Sequence, residues 1–275
     1  MSPASREWAR LAKVLAPPGV SSGATDAAPR QVVHLPPASA GFQACAEHFH
    51  RGLPPVVESG VNGANGVNAG YGTLRALCYD RFAVLHSALL KGPLFSAERL
   101  SADDLRQGAS VKRPDGRKAF FADARLPRQE RARPEDYAGQ AQLPKEERRD
   151  RGHLTPARDM RDERSMAQSF SLANVVPQNA VNNQQAWNKI EKDTRAYVMR
   201  SGGMVTIITG AQYEPHPQRM GSQGPAIPIA LYKLVQDERT GRRWAHWLAN
   251  TASARIDKPI SYEELVRRTG IRFLP

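Results

Sequence analysis

Asp150-Arg151-Gly152-His153-Leu154, followed by Thr155-Pro156-Ala157, places an acid, a fixed positive charge, a glycine and an imidazole in four consecutive residues. No other short window of the chain carries as much reactive chemistry. A second polar cluster follows it: Asn174-Val175-Val176-Pro177-Gln178, then Asn183, Trp187 and Glu191. Alone, the Asp-Arg-Gly-His tetrapeptide fits a surface turn as well as a site. Paired with the second cluster it supplies a base, several cations and an Asn/Glu pair. Those are the groups that phosphodiester hydrolysis requires for activating water, offsetting charge and binding nonbridging oxygens. On this reading Gly152 allows a phosphate to approach the backbone closely.

The pattern around these segments sets the expected fold. Phe170 to Ala173 reads as a short strand ending at a Pro177-Gln178 turn, and residues 180–200 read as a helix. At 100° per residue from Asn183, Trp187 falls at about 40°, Glu191 at about 80° and Arg195 at about 120°. Asn183 then projects from the buried side, where a polar group needs a partner such as a metal or a loop. Strand patterns follow at 204–209, 227–235 and 243–249. A last helix opens on Ser261-Tyr262-Glu263-Glu264, a capping-box arrangement, and stops at Gly270. Upstream, Arg81–Leu90 reads as a buried strand with His86 as a core residue, and Glu98-Arg99-Leu100 lies in a strand-to-loop segment. Strands and helices mix without βαβ alternation, which predicts an α+β fold with a mostly antiparallel sheet.

Composition bounds the partners. The 275 residues carry a formal charge of +12, which favours polyanionic ligands. Between Lys112 and Arg151 the cations are interleaved with acids, so most face water, yet the run leads straight to His153. No apolar run is long enough for a transmembrane helix. Residues 1–40 read as a flexible tail or linker and 41–275 as the folded domain, and residues 61–70 read as a turn-rich surface loop. Cys45, His48 and His50 do not complete a zinc set. Cys45 and Cys78 fit either a disulfide or two buried thiols, and two cysteines alone leave both open. A disulfide is the expectation tested below.

The chain resembles the DNA/RNA non-specific endonucleases, which include the endonuclease G group. The resemblance runs from about Phe42 to Pro275. It rests on Leu77-Cys78-Tyr79, Phe82 to Ser87, Asp123-Ala124-Arg125-Leu126-Pro127, Asp136-Tyr137-Ala138-Gly139, Asp150-Arg151-Gly152-His153, Phe170 to Asn174, Pro177-Gln178, Asn183, Trp187, Glu191 and Thr209-Gly210. It implies a ββα-metal (His-Me finger) nuclease whose central, mostly antiparallel sheet is flanked by helices. It further implies that His153 is the general base and that Asn183 is the direct protein ligand of one Mg²⁺, with Mn²⁺ a possible substitute. Glu191 then holds metal-bound water, Arg195 steadies transition-state charge, Arg151 belongs to the motif, and Arg99 is a looser match to a phosphate-binding arginine. Asn174 and Trp187 brace the helix and loop.

The implied activity is Mg²⁺-dependent, sugar-non-specific cleavage of DNA and RNA to 5′-phosphate ends. The competing readings are a catalytically silent nucleic-acid-binding protein of the same fold, and the same nuclease used as a delivered toxin. A homodimer and an inhibitor protein are possible further partners. Secretion or a periplasmic location is expected, with the cytoplasm left open because no signal peptide is visible. One departure stands out: Gln140 to Arg149 replaces a short link usual in the family.

Overall fold

The computed structural model describes residues 33–37, 41–57, 71–114 and 116–274. The expected 61–70 loop and most of the expected tail, residues 1–32 and 38–40, lie outside them. Residues 33–37 belong with the folded body: Leu35 packs on the cluster around Leu77 and Phe82, and the His34 carbonyl accepts from Gln168 Nε2 at 2.8 Å.

Six antiparallel strands form the central sheet. They are β2 (Leu74–Cys78), β3 (Ala83–Ser87), β4 (Gly92–Leu100), β7 (Val205–Gln212), β8 (Ala230–Asp237) and β9 (Arg243–Ala249), in the order β2-β3-β4-β7-β8-β9. A second, two-stranded sheet pairs β5 (Arg149–His153) with β6 (Val175–Asn179), and a third pairs β1 (Val56–Val57) with β10 (Ile271–Arg272). The helices are α1 (Ala102–Gly108), α2 (Glu163–Ser169), α3 and α4 (Tyr262–Thr269). α3 is one continuous helix of three parts: α-helical over Ala180–Asn182, π-helical over Asn183–Trp187, and α-helical over Asn188–Ser201.

Strand alternation divides the sheet into two faces. Val205, Ile207 and Val235 pack with Val198 of α3 on one face. On the other, Tyr232 meets the ring of Phe273 at 5.4 Å, beyond α4. The expected α+β fold is therefore present, as a sheet layered between helices. Gly210 belongs to this packing, since a Cβ there would lie 2.1 Å from Tyr232 Oη. Cys45 and Cys78 are joined by the expected disulfide, with Cα atoms 5.7 Å apart, which ties the 42–57 segment to the sheet edge.

Three local expectations are corrected. Residues 92–100 form a full nine-residue inner strand rather than passing from strand to loop. Phe170–Ala173 is not a strand: Leu172–Asn174 is a 3-10 turn, and the strand begins at Val175. Pro177 and Gln178 lie inside that strand, not in a turn. Pro177 is tolerated because the sheet has only two strands, so a missing N–H breaks no second ladder.

Candidate active site

β5, β6 and the start of α3 build the site. Asn179 caps the helix, its side-chain oxygen accepting from Val181 N and Asn182 N at 3.0 and 3.2 Å, and Gly202 ends it at φ +65°. Between them the π turn begins at Asn183. π-bulges widen a helix by one residue and re-aim the side chains before them. The simple 100° projection missed this shift. Asn182, not Asn183, is the fully buried residue, whereas Asn183 is half-buried and lines a cleft of about 810 Å³.

Asp150 holds Asn183 in that position. Its Oδ2 accepts from Asn183 Nδ2 at 3.0 Å and from Gln184 Nε2 at 2.7 Å. With the amide nitrogen so engaged, Asn183 Oδ1 accepts no hydrogen bond among the described residues. Asp150 is a strand residue tied to the helix, not part of a turn. Gly152 also differs from expectation: a Cβ there would lie 2.2 Å from Gln178 Oε1 and 2.6 Å from Gln178 Cβ. Its bareness serves the β5–β6 packing.

Arg151 and His153 share one face of β5, as residues two apart must. His153 is 8% exposed, and its ring lies between Phe120 and Phe170, with centroids 5.2 and 5.0 Å away. His153 Nε2 is buried without a hydrogen-bond partner. Burial, with the nearby Arg113 guanidinium adding to it, pushes the imidazole down to about 3, so it is neutral at ordinary pH. Arg151 lies over the rings of Tyr137 (4.9 Å) and Phe120 (5.4 Å) and donates to the Pro134 carbonyl at 3.0 Å.

The aromatic slot has its own frame. Phe121 N donates to the Phe170 carbonyl at 3.3 Å, and Leu172 N donates to the Phe121 carbonyl at 2.9 Å. Behind them Asp123 is fully buried, with Arg125 on both its oxygens at 2.9 and 2.7 Å and Tyr79 Oη donating to it at 2.7 Å. The Leu-Cys-Tyr and Asp-Ala-Arg-Leu-Pro segments thus hold the walls around His153. Asn174 braces the same region, accepting from Thr155 N and donating to the Thr155 and Ser169 carbonyls.

Further along α3, Glu191 is half-buried, and desolvation pushes its carboxyl up to about 7. Arg195 donates to Asp159 Oδ1 at 2.9 Å, which joins α3 to the turn that follows His153. Trp187 is buried, with Lys233 Nζ 5.5 Å from its ring centre. Arg99 is not brought to the site. It lies on the opposite side of β4 from Glu98 and is held by both oxygens of Glu238, at 2.7 and 2.6 Å, and by the Glu47 carbonyl. Strand alternation turns it away.

The cleft brings in Arg113, Arg158 and Phe120, which the sequence did not single out, beside the segment from Gln140 to Arg149, which it did. Arg113 and Arg158 are exposed on its wall without an ion pair among the described residues, and Arg113 lies 5.6 Å from the Phe170 ring centre. Gln140, Arg148 and Arg149, from the segment that replaces the short link, form part of the same wall. Arg113 was lost in the mixed charge of its neighbourhood, and Phe120 carried no periodic signal.

The donor set suits a hard, hydrated cation. Asn183 offers one neutral oxygen, with the Asp150 carboxylate beside it. Among the described residues no group of three or more His, Cys, Asp or Glu could hold a metal ion. A metal there would keep most of its shell as water and substrate oxygen, which fits Mg²⁺.

A strand, strand and helix that set His153 just behind the aromatic wall of a basic cleft lined by Asn183 have the arrangement of a ββα nuclease. Residues 60–275 match the sequence profile of the DNA/RNA non-specific endonuclease family. The chain belongs to that family and is an endonuclease. It is 27% identical over 252 residues to mitochondrial endonuclease G of Bos taurus, covering 82% of this chain and 78% of that one. It is 30% identical over 173 residues to the mitochondrial nuclease EXOG of Mus musculus, covering 59% and 44%. Its fold matches the crystal structure of the EndoG/EndoGI complex with a TM-score of 0.60 at 20% identity, covering 74% of this chain and 86% of that one. The relatives are mitochondrial by name and lend no support to the expected secreted or periplasmic placement.

Proposed function

We propose that the chain cleaves DNA and RNA without regard to sequence, leaving 5′-phosphate ends, with His153 as general base and Asn183 as the protein ligand of Mg²⁺ or, in its place, Mn²⁺. The observation that carries this reading is His153 Nε2, buried and unpartnered against Phe120 and Phe170, which line the same basic cleft as Asn183. An orphaned neutral imidazole nitrogen is an acceptor waiting for a proton. A phosphate drawn to Arg113 would offset that charge and raise the basicity of His153 as substrate arrives.

Bound Mg²⁺ would polarise the phosphate and stabilise the departing 3′ oxygen. Asn183, held by its bond to Asp150, would be the protein group that holds it, and Glu191 would accept hydrogen bonds from its water. Arg195, held by Asp159, offsets charge that develops on the phosphate. Arg113, Arg151 and Arg158 bind the phosphodiester backbone, and contacts of that kind carry no sequence information. Arg99 takes no part.

The Cys45–Cys78 bond supports a compartment that permits disulfides. The EndoG of the neighbouring structure is bound by EndoGI, and a protein inhibitor acting at the open cleft is proposed here too. The homodimer is a proposal that sedimentation of the pure protein tests.

The deciding experiment is digestion of plasmid DNA and of RNA with Mg²⁺ or with EDTA, by wild type and His153→Ala. Wild type is expected to cut both only with metal, and the variant to lose about 10²–10⁴-fold in rate. Equal cleavage by the variant would remove the assigned base. Salt-sensitive binding without cleavage in any divalent metal would favour the silent nucleic-acid-binding alternative.

A further inference from the structure

Under the exposed edge of α3 lies a cluster of ionisable side chains in which Glu98 and Lys233 have no part in the reaction described above. Glu98 of β4 is 1% exposed, Asp159 is 4% exposed and Lys233 of β8 is 1% exposed. Glu191 and Arg195 of α3 border them. That makes three acids against two bases, so with every group ionised the cluster would hold a buried excess of negative charge.

The hydrogen bonds show where a proton belongs. Lys233 Nζ donates to Thr209 Oγ1 at 2.5 Å, and Arg195 Nη1 donates to Asp159 Oδ1 at 2.9 Å. Both oxygens of Glu98 are buried, and neither receives a donor. An ionised carboxylate cannot be sustained in that setting. A neutral carboxylic acid can, because it has an O–H to give, and the side chain it meets is Asp159. Burial, with the negative charge of Asp159 adding to it, holds the Glu98 carboxyl well above the usual carboxylate range.

We propose that Glu98, as a neutral acid donating to Asp159, is a positioning residue that fixes Arg195 for catalysis. This rests on the reading of Arg195 given under the proposed function. Arg195 has two carboxylates within reach: Asp159 across the interface and Glu191 one turn back on its own helix, the spacing at which helical ion pairs form. It pairs with Asp159. A hydrogen bond from Glu98 locks the Asp159 carboxylate in the orientation that receives the guanidinium. Glu191 is thereby left without that pair and open to water. The Glu98–Asp159–Arg195 chain thus sets in advance the geometry that a charge-stabilising group needs before substrate binds.

Three variants and two spectroscopic signals test this. Glu98→Leu removes the donor and is expected to lower kcat by about tenfold to a hundredfold at unchanged KM, the scale of losing an orienting partner. Glu98→Gln keeps an N–H to donate and is expected to stay within about threefold of wild type. In ¹⁵N NMR of the metal-free protein, the Arg195 Nε–H signal, assigned by its loss in Arg195→Lys, is expected to shift in Glu98→Leu and to hold in Glu98→Gln. Full activity in Glu98→Leu, equal loss in both Glu98 variants, or an unmoved Arg195 signal would each overturn the proposal.

Should Glu98→Leu fail to fold, the infrared difference spectrum between wild type and Glu98→Gln at neutral pH decides. A carboxylic-acid C=O band in wild type supports the proposal, and its absence overturns it. The two spectroscopic readings concern the resting protein. If wild type does not cleave with metal, the catalytic reading and the role of this chain in it both fail, and the spectra then show that the fault lay with the reaction and not with the hydrogen bonds.

Discussion

His153 and Asp150 stand three residues apart and work by opposite means. His153 is kept neutral by an aromatic slot, well below its ordinary value of 6.5. The linkage sign follows: a depressed folded-state pKa contributes stability that is complete above about pH 6.5 and is lost as pH falls toward about 3. His153→Phe fills the slot without a titratable group. Its unfolding midpoint is therefore expected to gain on wild type as pH drops through that window, by at most about 1.4 kcal/mol per pH unit. Parallel stability curves for the two proteins would contradict the burial argument. Asp150 acts through Asn183. Asp150→Ala is expected to raise the Mg²⁺ concentration for half-maximal cleavage by about tenfold to a hundredfold, with kcat recovered at saturating metal. A rate loss that metal cannot recover would assign Asp150 a different role.

Among the elements, the β5–β6 pair and the π turn of α3 decide where the chemistry points. Gly152 lies against Gln178 so closely that one methyl group has no room. Gly152→Ala is expected to destabilise the fold by about 1–3 kcal/mol, read as a lowered Tm. Gln178→Gly should recover part of that loss in the double variant, since the two sites share one contact. An unchanged Tm for Gly152→Ala would show that the strands yield. The π turn has a comparable effect on direction. It carries Asn183 from the core face to the cleft while leaving Ile190 and Val198 buried.

For the whole molecule, the charge of +12 matters through its placement. Arg158 faces the cleft unpaired among the described residues, whereas Arg99 and Arg125 are held by carboxylates. Arg158→Gln should therefore reduce the slope of log binding constant against log salt by about 0.9 for duplex DNA, with no change in sequence preference. An unchanged slope would place Arg158 outside the substrate path.

Local pattern alone carried the strands after residue 204, the capped last helix and the α+β class, whereas the joining of Asp150–His153 with Asn183 to Glu191 into one site came with the family resemblance. The first three depend on period, caps and composition within a few residues, and such signals survive without neighbours. Arg99 was misplaced because only pairing in the sheet decides which side of β4 a residue faces. Phe120 and Arg158 were invisible because each reaches the site from an irregular segment with no periodicity to read, and Arg113 was one unremarked cation of the mixed run from Lys112 to Arg151. The tasks of Asp150, Gly152 and Glu98 likewise came only from the tertiary structure. A hydrogen-bond partner, a missing Cβ and a buried proton are properties of what lies across a contact, and no spacing along the chain encodes them.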